Sequence, residues 1–444
     1  MYPNPQDVLP LPSRPDVEQY RTRAKELVRA HHEAPAAVET WAQRWISALW
    51  RTGSADGQPT PPMPPHAHDV NRSVAQVAAF AMERLNGTRG ALSQAQFVIA
   101  RAHGFPSWTR LLQHLDASTR ERSPVSHFEH AADAVVSGDL ATLSTLLRAD
   151  PALVHARSDR EHGSTLLHYV SANGVENYRQ RTPSNVCDIA ATLLDAGADV
   201  RATCDVYGGG ADTLSLAITS AHPRAAGVQL ALADLLIARG ARVVAGMVRA
   251  CLANGCPEAA VHMGALCLAR GIPLDLQELA CVERVDLLAD RLVERAPSAA
   301  ESEEALSMAA WYDRRESIAT LLDHGVPVDT PNGDGATALH VACYAGQEAL
   351  VDTLLARGAS VHRADATYGT TPLVWALHAW LVDGKTPASA YKAIIGRLLD
   401  AGADVKAEWI DDDRLRADEE LWARLASGFR SSDRVRGQKS VGQN

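Results

Sequence analysis

The sequence has few aromatic residues, no paired cysteine pattern and no long apolar run. Aromatic residues make up only 5% of its 444 residues, which favours closely packed helices over a large aromatic core. The seven cysteines are an odd number scattered among apolar stretches, a pattern that indicates reduced, buried thiols. No uncharged apolar run reaches the roughly 18 residues of a membrane helix, and residues 1–5 do not resemble a signal peptide. We therefore expect a cytoplasmic protein without a membrane segment.

A basic composition and the short motifs of common enzymes are also missing. The net charge of −10 argues against a protein that coats nucleic acid. The sequence contains no Gly-x-Ser-x-Gly elbow, no phosphate-binding Gly-x4-Gly-Lys-Ser/Thr loop and no His-Glu-x-x-His helix. Cys251, Cys256, His262 and Cys267 lack paired Cys-x-x-Cys spacing, so we interpret them as core residues rather than a zinc site. We predict no catalytic residue, no metal and no cofactor.

Two short phrases recur along the chain. One is a pair of apolar residues followed by x-x-Gly, and its copies end at Gly197, Gly240, Gly271, Gly325, Gly358 and Gly402. The other is a Thr-x-Leu-His phrase at residues 165–168 and 337–340, with a variant at 371–374. The glycines are spaced by 43, 31, 54, 33 and 44 residues, which fits a repeat of about 33 residues with insertions. The 54-residue gap has room for one more, degenerate repeat.

Together these phrases resemble the ankyrin repeat, which opens with a Thr-Pro-Leu-His-like phrase and ends with Leu-Leu-x-x-Gly-Ala. The best copy is residues 335–363, GATALHVACYAGQEALVDTLLARGASVHR. The resemblance implies an all-α solenoid of about seven repeats, several of them degenerate, over residues 126–408. Each repeat would supply two antiparallel helices closed by a glycine, and neighbours must stack to bury their apolar faces. The resemblance also implies that His168 and His340 are structural, tying neighbouring loops together by hydrogen bonds.

The two ends of the chain do not carry the repeat. Residues 1–125 predict a helical N-terminal region with a proline-rich loop at 52–69. Its helices are expected at about 17–50, 72–86, 92–103 and 107–116. Ser107 is the predicted N-cap of the last of them. Residues 409–426 predict a single amphipathic capping helix, and residues 427–444 predict a disordered tail.

Insertions lengthen the inter-helix loops of two successive repeats, at residues 175–185 and 219–229, and a third lies at 378–392. Because equivalent positions line up on one face of a repeat array, the first two loops should stand side by side. Their aromatic, arginine, amide and histidine groups are typical of recognition hot spots, although a loop that merely packs on the helices fits equally well. The run 166–229 also resembles a subgroup of bacterial ankyrin proteins, which implies no activity. The predicted partner-binding residues here are Asn173, Glu176, Tyr178, Arg179, Gln180, Tyr207, Ser220, His222 and Gln229.

The ankyrin resemblance implies a non-catalytic protein–protein interaction scaffold. Its partner would be an unidentified protein, held by the concave face, the long inter-helix loops and the hairpin tips between repeats. The tip residues that we predict to contact the partner are Asn332, Asp334, Asp365 and Tyr368.

Two other functions stay open at this point. A small-molecule or enzymatic pocket beneath loops 175–185 and 219–229 would use His222 or Glu176 as a general base and Arg179 as an anion clamp. Convergence of these three groups and Tyr207 on a closed cavity would favour that function.

The second alternative is a DNA-associated regulator that docks through residues 92–117. This segment has a helix-turn-helix outline and resembles the leader ahead of ankyrin repeats in some bacterial proteins. It offers only Thr109 and Arg110 as obvious contacts to DNA. Most of its large side chains are expected in the core of a small helical domain: Phe97, Ile99, Phe105, Trp108, Leu111 and Leu112.

Overall fold

The computed structural model describes residues 4, 7–12, 15–52, 67–87, 91–120, 123–405 and 412–426. Most of the predicted loop 52–69 and all of the predicted tail 427–444 lie outside these residues. The chain divides into two compact units, unit 1 (Met1–Ala259) and unit 2 (Ala260–Asn444). Across the described residues the regular structure is helical apart from one pair of two-residue strands, which confirms the predicted all-α class.

Unit 1 begins with five helices that share one hydrophobic core: α1 (Val17–Glu33), α2 (Pro35–Thr52), α3 (Ala67–Leu85), α4 (Ala91–Ala102) and α5 (Trp108–Ser118). α1 packs against α2 and α4, and α3 packs against the same two helices. The helix expected over 17–50 is in fact two helices. Ala34 is extended (φ −172°, ψ 158°) because the proline ring of Pro35 disfavours a helical conformation in the preceding residue. Ser107 caps α5 as expected, accepting a hydrogen bond from Arg110 N at 3.3 Å.

The rest of unit 1 carries α6 (Pro124–Ser137), α7 (Leu140–Ala149), α8 (Val186–Asp195), α9 (Thr213–Ile218), α10 (Ala221–Ala225), α11 (Gln229–Ala238) and α12 (Met247–Ala253). Three 3-10 helices lie among them, at Pro151–His155, Leu166–Ser171 and Asn177–Arg179. The strands β1 (Thr203–Cys204) and β2 (Ala211–Asp212) pair antiparallel, with Thr203 opposite Asp212. Both insertions therefore contain regular structure: a 3-10 turn in the first and α10 in the second.

The chain passes from unit 1 to unit 2 within α13 (Pro257–Ala269). Unit 2 then holds α14 (Leu276–Cys281), α15 (Val285–Glu294), α16 (Ala299–Trp311), α17 (Arg315–Asp323), α18 (Ala338–Ala345), α19 (Glu348–Ala356), α20 (Pro372–Leu381), α21 (Ala388–Asp400) and α22 (Asp413–Arg416). Consecutive helices pair as α14–α15, α16–α17, α18–α19 and α20–α21. The first helices of these pairs stack in one layer, in the order α14, α16, α18 and α20.

The C-terminal cap departs from its prediction as one continuous helix over 409–426. α22 ends at Arg416, and a separate helix runs over residues 419–426. Asp418 lies at the break, where its Oδ1 atom accepts a hydrogen bond from Leu421 N at 3.0 Å. An aspartate that caps a following helix stops the preceding one, since its side chain offers the backbone a local alternative.

The described residues contain eight helix pairs of the repeat type, against about seven expected. α14–α15 and α16–α17 together fill the long gap between Gly271 and Gly325, where an extra degenerate repeat was predicted. The phrase-ending glycines take the left-handed backbone conformation that the repeat requires; Gly197 and Gly358, for example, have φ of 102° and 81°.

Candidate functional site

The first insertion, residues 175–185, is partly an interior segment of unit 1. Glu176 has no exposed surface and Arg179 is 4% exposed. Tyr178 and Gln180 are half-buried, and Gln180 Nε2 donates to Val175 O at 2.7 Å. The insertion therefore turns Glu176 and Arg179 toward the interior. A charged group can be buried in this way where counter-charges and hydrogen-bond partners surround it.

Four charged side chains meet in this interior, and we call them the buried ion cluster: Glu129, Arg160, Glu176 and Arg179. Glu176 Oε1 lies 2.7 Å from Arg160 Nη1 and 3.6 Å from Arg179 Nη1. Glu129, on α6, lies 2.8 Å from the same Arg160 nitrogen and 2.7 Å from Arg179 Nη1. Each carboxylate thus contacts both guanidinium groups, and two positive charges balance two negative ones.

Neighbouring polar groups extend the buried ion cluster. Arg160 Nη2 donates to Tyr178 OH at 3.0 Å, and Tyr169 OH donates to Glu176 Oε1 at 3.3 Å. Arg179 Nε donates to Asp133 Oδ1 at 2.8 Å. The insertion is consequently held to α6 and to the 3-10 helix at Leu166–Ser171 by charge-assisted hydrogen bonds.

The arginines determine the charge state of the two buried carboxylates. Burial alone would raise the pKa of Glu129, but the charges of Arg160 and Arg179 outweigh it and lower the pKa to about 2. Burial opposes ionisation of Glu176 as well, yet Arg160 first and His162 next hold its pKa well below the ordinary range. Both groups are therefore ionised at neutral pH, and neither has the raised pKa of a general base or acid.

The buried ion cluster also reaches the N-terminal helices. Arg160 lies over the ring of Phe105 at 5.7 Å, and α5 packs against α6. His114, on α5, places Nδ1 3.3 Å from Asp159 Oδ2 and Nε2 3.8 Å from Glu129 Oε1. The first insertion thus takes part in fastening the N-terminal region to the repeats.

Sequence reasoning did not single out Arg160, Glu129 or His114. Arg160 stands in an irregular loop whose neighbours give no signal. The one available sign was the i, i+4 spacing of Glu129 and Asp133, which places two acids on one helix face. Arg179 contacts both of those acids.

The second insertion, residues 219–229, meets the base of the first. Ser220 is 3% exposed and donates through Oγ to Ala172 O at 3.3 Å. Asn173 Nδ2 donates to Leu216 O and to Thr219 Oγ1, at 3.3 Å in each case. Gln229 is 4% exposed, and its Nε2 lies within 3.1 Å of three carbonyl oxygens, those of Ala217, Ile218 and Ser220. These contacts hold the bases of the two loops side by side.

The four groups of the pocket alternative do not line one cavity. Glu176 and Arg179 are buried together, whereas Tyr207 is 58% exposed and His222 is exposed on α10. Tyr207 OH donates instead to Asn173 Oδ1 at 2.8 Å. These positions do not bring a general base, an anion-binding arginine and a substrate cavity together.

Side-chain hydrogen bonds hold two of the hairpin tips between the repeats of unit 2. Asp365, 3% exposed, accepts hydrogen bonds from Tyr368 N at 2.6 Å, Thr370 N at 3.0 Å and Trp375 Nε1 at 3.1 Å. Although burial opposes ionisation, these hydrogen bonds and that of the Thr370 hydroxyl hold the pKa of Asp365 well below its usual range. Tyr368 projects from this tip and is 75% exposed.

The preceding tip is built in a similar way and contacts the Asp365 tip. Asn332 is half-buried, and its Oδ1 accepts from Asp334 N at 3.1 Å and from Ala336 N at 2.9 Å. Asp334 is exposed, and its carbonyl oxygen accepts from Ala366 N at 2.8 Å. Asp334 and Tyr368 are accordingly the surface groups of these two tips, while Asn332 and Asp365 fix their shape.

His340 contacts the next repeat through a hydrogen bond. Its Nδ1 accepts from Thr337 N at 3.1 Å, and its Nε2 donates to Thr370 O in the next repeat at 3.1 Å. His168 makes the equivalent bond to Thr165 N at 3.1 Å. Burial lowers the pKa of both imidazoles, in His168 to about 4, so both are neutral at pH 7.

Three aromatic side chains from successive repeats of unit 2 form what we call the aromatic row: Trp311, Tyr344 and Trp375. Trp311, at the end of α16, stacks with Tyr344 at a centroid distance of 6.2 Å and an angle of 26°. Tyr344, near the end of α18, meets Trp375 of α20 edge-on at 5.9 Å. Trp311 is 47% exposed, and the other two rings are half-buried. Sequence reasoning did not predict the aromatic row, because the three rings belong to different repeats.

Both arginines of residues 92–117 lie beside acidic side chains. Arg101 is 9% exposed and forms an ion pair with Glu161, and Arg110 Nη2 is 4.0 Å from Asp159 Oδ1. The large apolar residues of the segment pack in the N-terminal core as expected: Phe97, Ile99, Phe105, Trp108, Leu111 and Leu112.

All seven cysteines lie in the described part of the chain, and none forms a disulfide. Cys251, Cys256 and Cys267 are buried. Within the described ranges, no group of three or more His, Cys, Asp or Glu side chains could hold a metal ion. Nor does any helix of those ranges combine the length and the apolar character needed to cross a membrane.

Comparison with known proteins finds a matching family model and similar solved structures. The family model for ankyrin repeats (3 copies) matches residues 279–365 and 306–408, all within unit 2. The crystal structure of the human ASB11 ankyrin repeat domain is similar at 22% identity and a TM-score of 0.34, covering 52% of this chain and 98% of that domain. No curated protein matches the chain in sequence.

Proposed function

The chain is an ankyrin-repeat protein, and we propose that it is a non-catalytic scaffold that binds a protein partner through its repeat tips. Ankyrin repeats are generally protein–protein interaction modules. The observation that carries the proposal is the exposed Tyr368 on a tip whose backbone Asp365 fixes from within.

A hydrogen-bonded tip that presents a tyrosine suits recognition for two physical reasons. Tyrosine supplies a large contact area and a hydroxyl group, and it is enriched among residues that dominate binding energy. Because hydrogen bonds already hold the Tyr368 tip, little conformational freedom is lost when a partner binds. Asp334, exposed on the adjacent tip, adds a charged contact at the rim.

Unit 1 offers a similar group in Tyr207. This residue is 58% exposed, has a φ of 52° and precedes three glycines that all have positive φ. Its hydroxyl is held by Asn173. We propose Tyr207 and the exposed His222 as the contact residues of unit 1.

The remaining predicted site residues would support such contacts indirectly, by holding the loops and tips in place. Glu176, Arg179, Ser220, Gln229 and Asp365 are buried and offer a partner no surface in this conformation. Asn173, Tyr178, Gln180 and Asn332 are half-buried and engaged in hydrogen bonds within the chain. We assign these nine residues to positioning the loops and tips.

Affinity purification with mass spectrometry tests the proposal. Tyr368→Ala and Tyr207→Ala are compared with the wild type and with Val293→Ala, a matched control because Val293 is 76% exposed on α15. We expect at least one specific partner to be lost in a tip variant and retained in the control. A partner set unchanged by both tip variants, with all proteins folded, would contradict the proposal.

The cysteines also indicate where in the cell the protein is located. Seven cysteines without a disulfide are typical of a reducing environment, so we propose a cytoplasmic location.

A further inference from the structure

We infer that the N-terminal helices α1–α5 form an autoinhibitory contact with the first repeat tip, residues 157–165, and that this tip binds a partner only when the contact opens. This inference rests on the proposed protein-binding function and adds a regulatory contact to it. Because Tyr368 lies in unit 2, its role in partner binding can be tested without disturbing this contact.

The first tip is built like the other tips. Arg157 and Thr165 form an antiparallel bridge that closes the hairpin. The carbonyl oxygen of His162 accepts a hydrogen bond from Asp205 N, in the following tip, at 2.8 Å. A hydrogen bond of the same length joins the two tips of unit 2 described above. The first tip therefore has the same construction as the tips that we propose to bind a partner.

Helices α4 and α5 and the turn between them lie against the first tip. Glu161 N donates a hydrogen bond to Gly104 O, in that turn, at 2.9 Å. The Glu161 side chain forms an ion pair with Arg101 of α4. Arg160 is buried, and its guanidinium group lies over the ring of Phe105. The tip thus contacts its own chain on the side chains that a partner would use.

Helix α5 adds two contacts at the same tip, both to Asp159. His114 Nδ1 lies 3.3 Å from Asp159 Oδ2, and Arg110 Nη2 lies 4.0 Å from Asp159 Oδ1. The three charged residues at the centre of the tip, 159–161, therefore all contact the N-terminal helices. A partner that binds these side chains must displace α4 and α5.

The N-terminal helices have a hydrophobic core of their own. Among the described residues, the buried apolar side chains of this core all belong to residues 9–115, and none comes from a repeat. The contacts to the first tip are instead ion pairs, a backbone hydrogen bond and a cation over an aromatic ring. Polar interfaces between parts of one chain resemble those of transient complexes, and relative motion across them is the default expectation. The contact can therefore open while both parts stay folded.

Two buried polar atoms at the contact favour its opening. Across the part of the chain that the structure describes, Arg160 Nε and His114 Nε2 have no hydrogen-bond partner. A buried polar atom without a partner is less stable than the same atom in water. Opening the contact exposes both atoms to solvent, which offsets part of the energy lost with the ion pairs.

Residue-resolved hydrogen exchange of the full chain, measured by mass spectrometry, tests the opening. The Glu161 amide reports on the contact, because its hydrogen bond to Gly104 O crosses the contact. The Ser158 amide reports on the tip itself, because it donates to Ser164 O within the tip at 2.9 Å. Amides inside α4 and α6 report on the folding of the two parts.

The variants break the ion pair at the contact from either side. Arg101→Met removes the charge that pairs with Glu161 and keeps an apolar stem that packs in α4. Glu161→Gln breaks the same pair from the tip, where the side chain is 46% exposed, and guards against a folding defect in α4. Arg239→Met is the matched control, because Arg239 forms an ion pair with Asp195 at 2.7 Å between the ends of α8 and α11.

We expect the Glu161 amide to exchange about tenfold faster in Arg101→Met and in Glu161→Gln than in the wild type, and at the wild-type rate in Arg239→Met. The Ser158 amide and the amides inside α4 and α6 should keep their wild-type rates. Unchanged exchange at Glu161 would overturn the inference. Equally faster exchange at Ser158 or inside α4 would also overturn it, since the tip or the helix would then be unfolding rather than separating.

The affinity purification described above tests whether the contact inhibits binding. Apparent affinity scales with the fraction of molecules whose site is open, so Arg101→Met should recover about tenfold more of at least one specific partner than the wild type. Arg239→Met should show no such gain. Absence of a gain in Arg101→Met would overturn the autoinhibitory role. If Tyr368→Ala still loses a partner in that case, the proposed scaffold function stands and only this inference is removed.

Discussion

Single residues in the interior of unit 1 show how charge can be buried without becoming catalytic. Glu176 has no exposed surface but stays ionised, because Arg160 and Arg179 lie within 3.6 Å of its Oε1 atom. Removing one member of such a cluster leaves the others desolvated and uncompensated. The buried ion cluster is therefore a set of mutually dependent residues.

The first prediction concerns Glu176. Glu176→Ala should lower the free energy of unfolding by about 3–5 kcal/mol, since two buried guanidinium groups lose a shared carboxylate. Urea denaturation at pH 7 measures the change.

Asp133→Ala is the comparison for that measurement. Asp133 also accepts from Arg179, but its side chain is 61% exposed, so the expected loss is below about 1 kcal/mol. Equal losses in the two variants would show that burial does not determine the strength of these ion pairs.

At the scale of elements, hydrogen bonds to side chains hold the hairpin tips, in place of the backbone hydrogen bonds of paired strands. Asp365 accepts hydrogen bonds from two backbone amides, a hydroxyl and an indole, all within ten residues of it in sequence. A tip held in this way can display Tyr368 without strands of its own.

The second prediction concerns Asp365. Asp365→Ala should lower the free energy of unfolding by about 2 kcal/mol, because a charged acceptor of several buried donors is lost. Hydrogen exchange of the amides in 365–370 should quicken, which mass spectrometry detects. Asp334→Ala removes an exposed carboxylate from the adjacent tip and should leave those amides protected; the opposite ranking would refute the role of Asp365.

The turn after α16 gives a third prediction at the same scale. Asp313 has a φ of 54°, a conformation that costs an L-residue roughly 1 kcal/mol and costs glycine nothing comparable. Asp313→Gly should therefore stabilise the protein by about 1 kcal/mol in urea denaturation. Asp313→Asn should change stability little, since asparagine also tolerates this conformation. A destabilised Asp313→Gly variant would show that the Asp313 carboxylate contributes more to folding than its backbone strain costs.

At the scale of the whole molecule, buried histidines make stability depend on pH. Burial lowers the pKa of His103 to about 3 and that of His168 to about 4. In the unfolded chain both titrate near pH 6.5, so the unfolded state binds more protons below that pH. Stability is therefore full above pH 6.5 and is lost as the pH falls toward 4.

The fourth prediction follows from this linkage. Between pH 7.5 and pH 5 each histidine should reduce the free energy of unfolding by about 2 kcal/mol, as urea denaturation at the two pH values would show. His103→Gln should remove about half of their combined loss. Glu129 adds little in this range, because a carboxylate with a folded-state pKa of about 2 loses its stabilising effect only as the pH falls below the ordinary value of 4.5. A loss in His103→Gln as large as in the wild type would mean that His103 is not buried as a neutral group.

Much of the molecule's architecture follows from sequence alone, because its cause is local and periodic. The recurring phrases predict the helical repeats and the glycine after each second helix, and the ankyrin resemblance implies the structural role of His340. Two helix predictions were wrong because a local feature was overlooked. Pro35 divides the helix expected over 17–50, and Asp418 divides the helix expected over 409–426.

Only the tertiary structure decided whether a polar loop faces solvent or the interior. Within residues 175–185, composition suggested a surface, since nothing nearby in sequence could neutralise Glu176 and Arg179. Their partners Arg160 and Glu129 stand on other segments, and burial of a charge is favourable only where folding brings its counter-charge within contact distance. The aromatic row has the same origin, because Trp311, Tyr344 and Trp375 meet only through the stacking of three repeats.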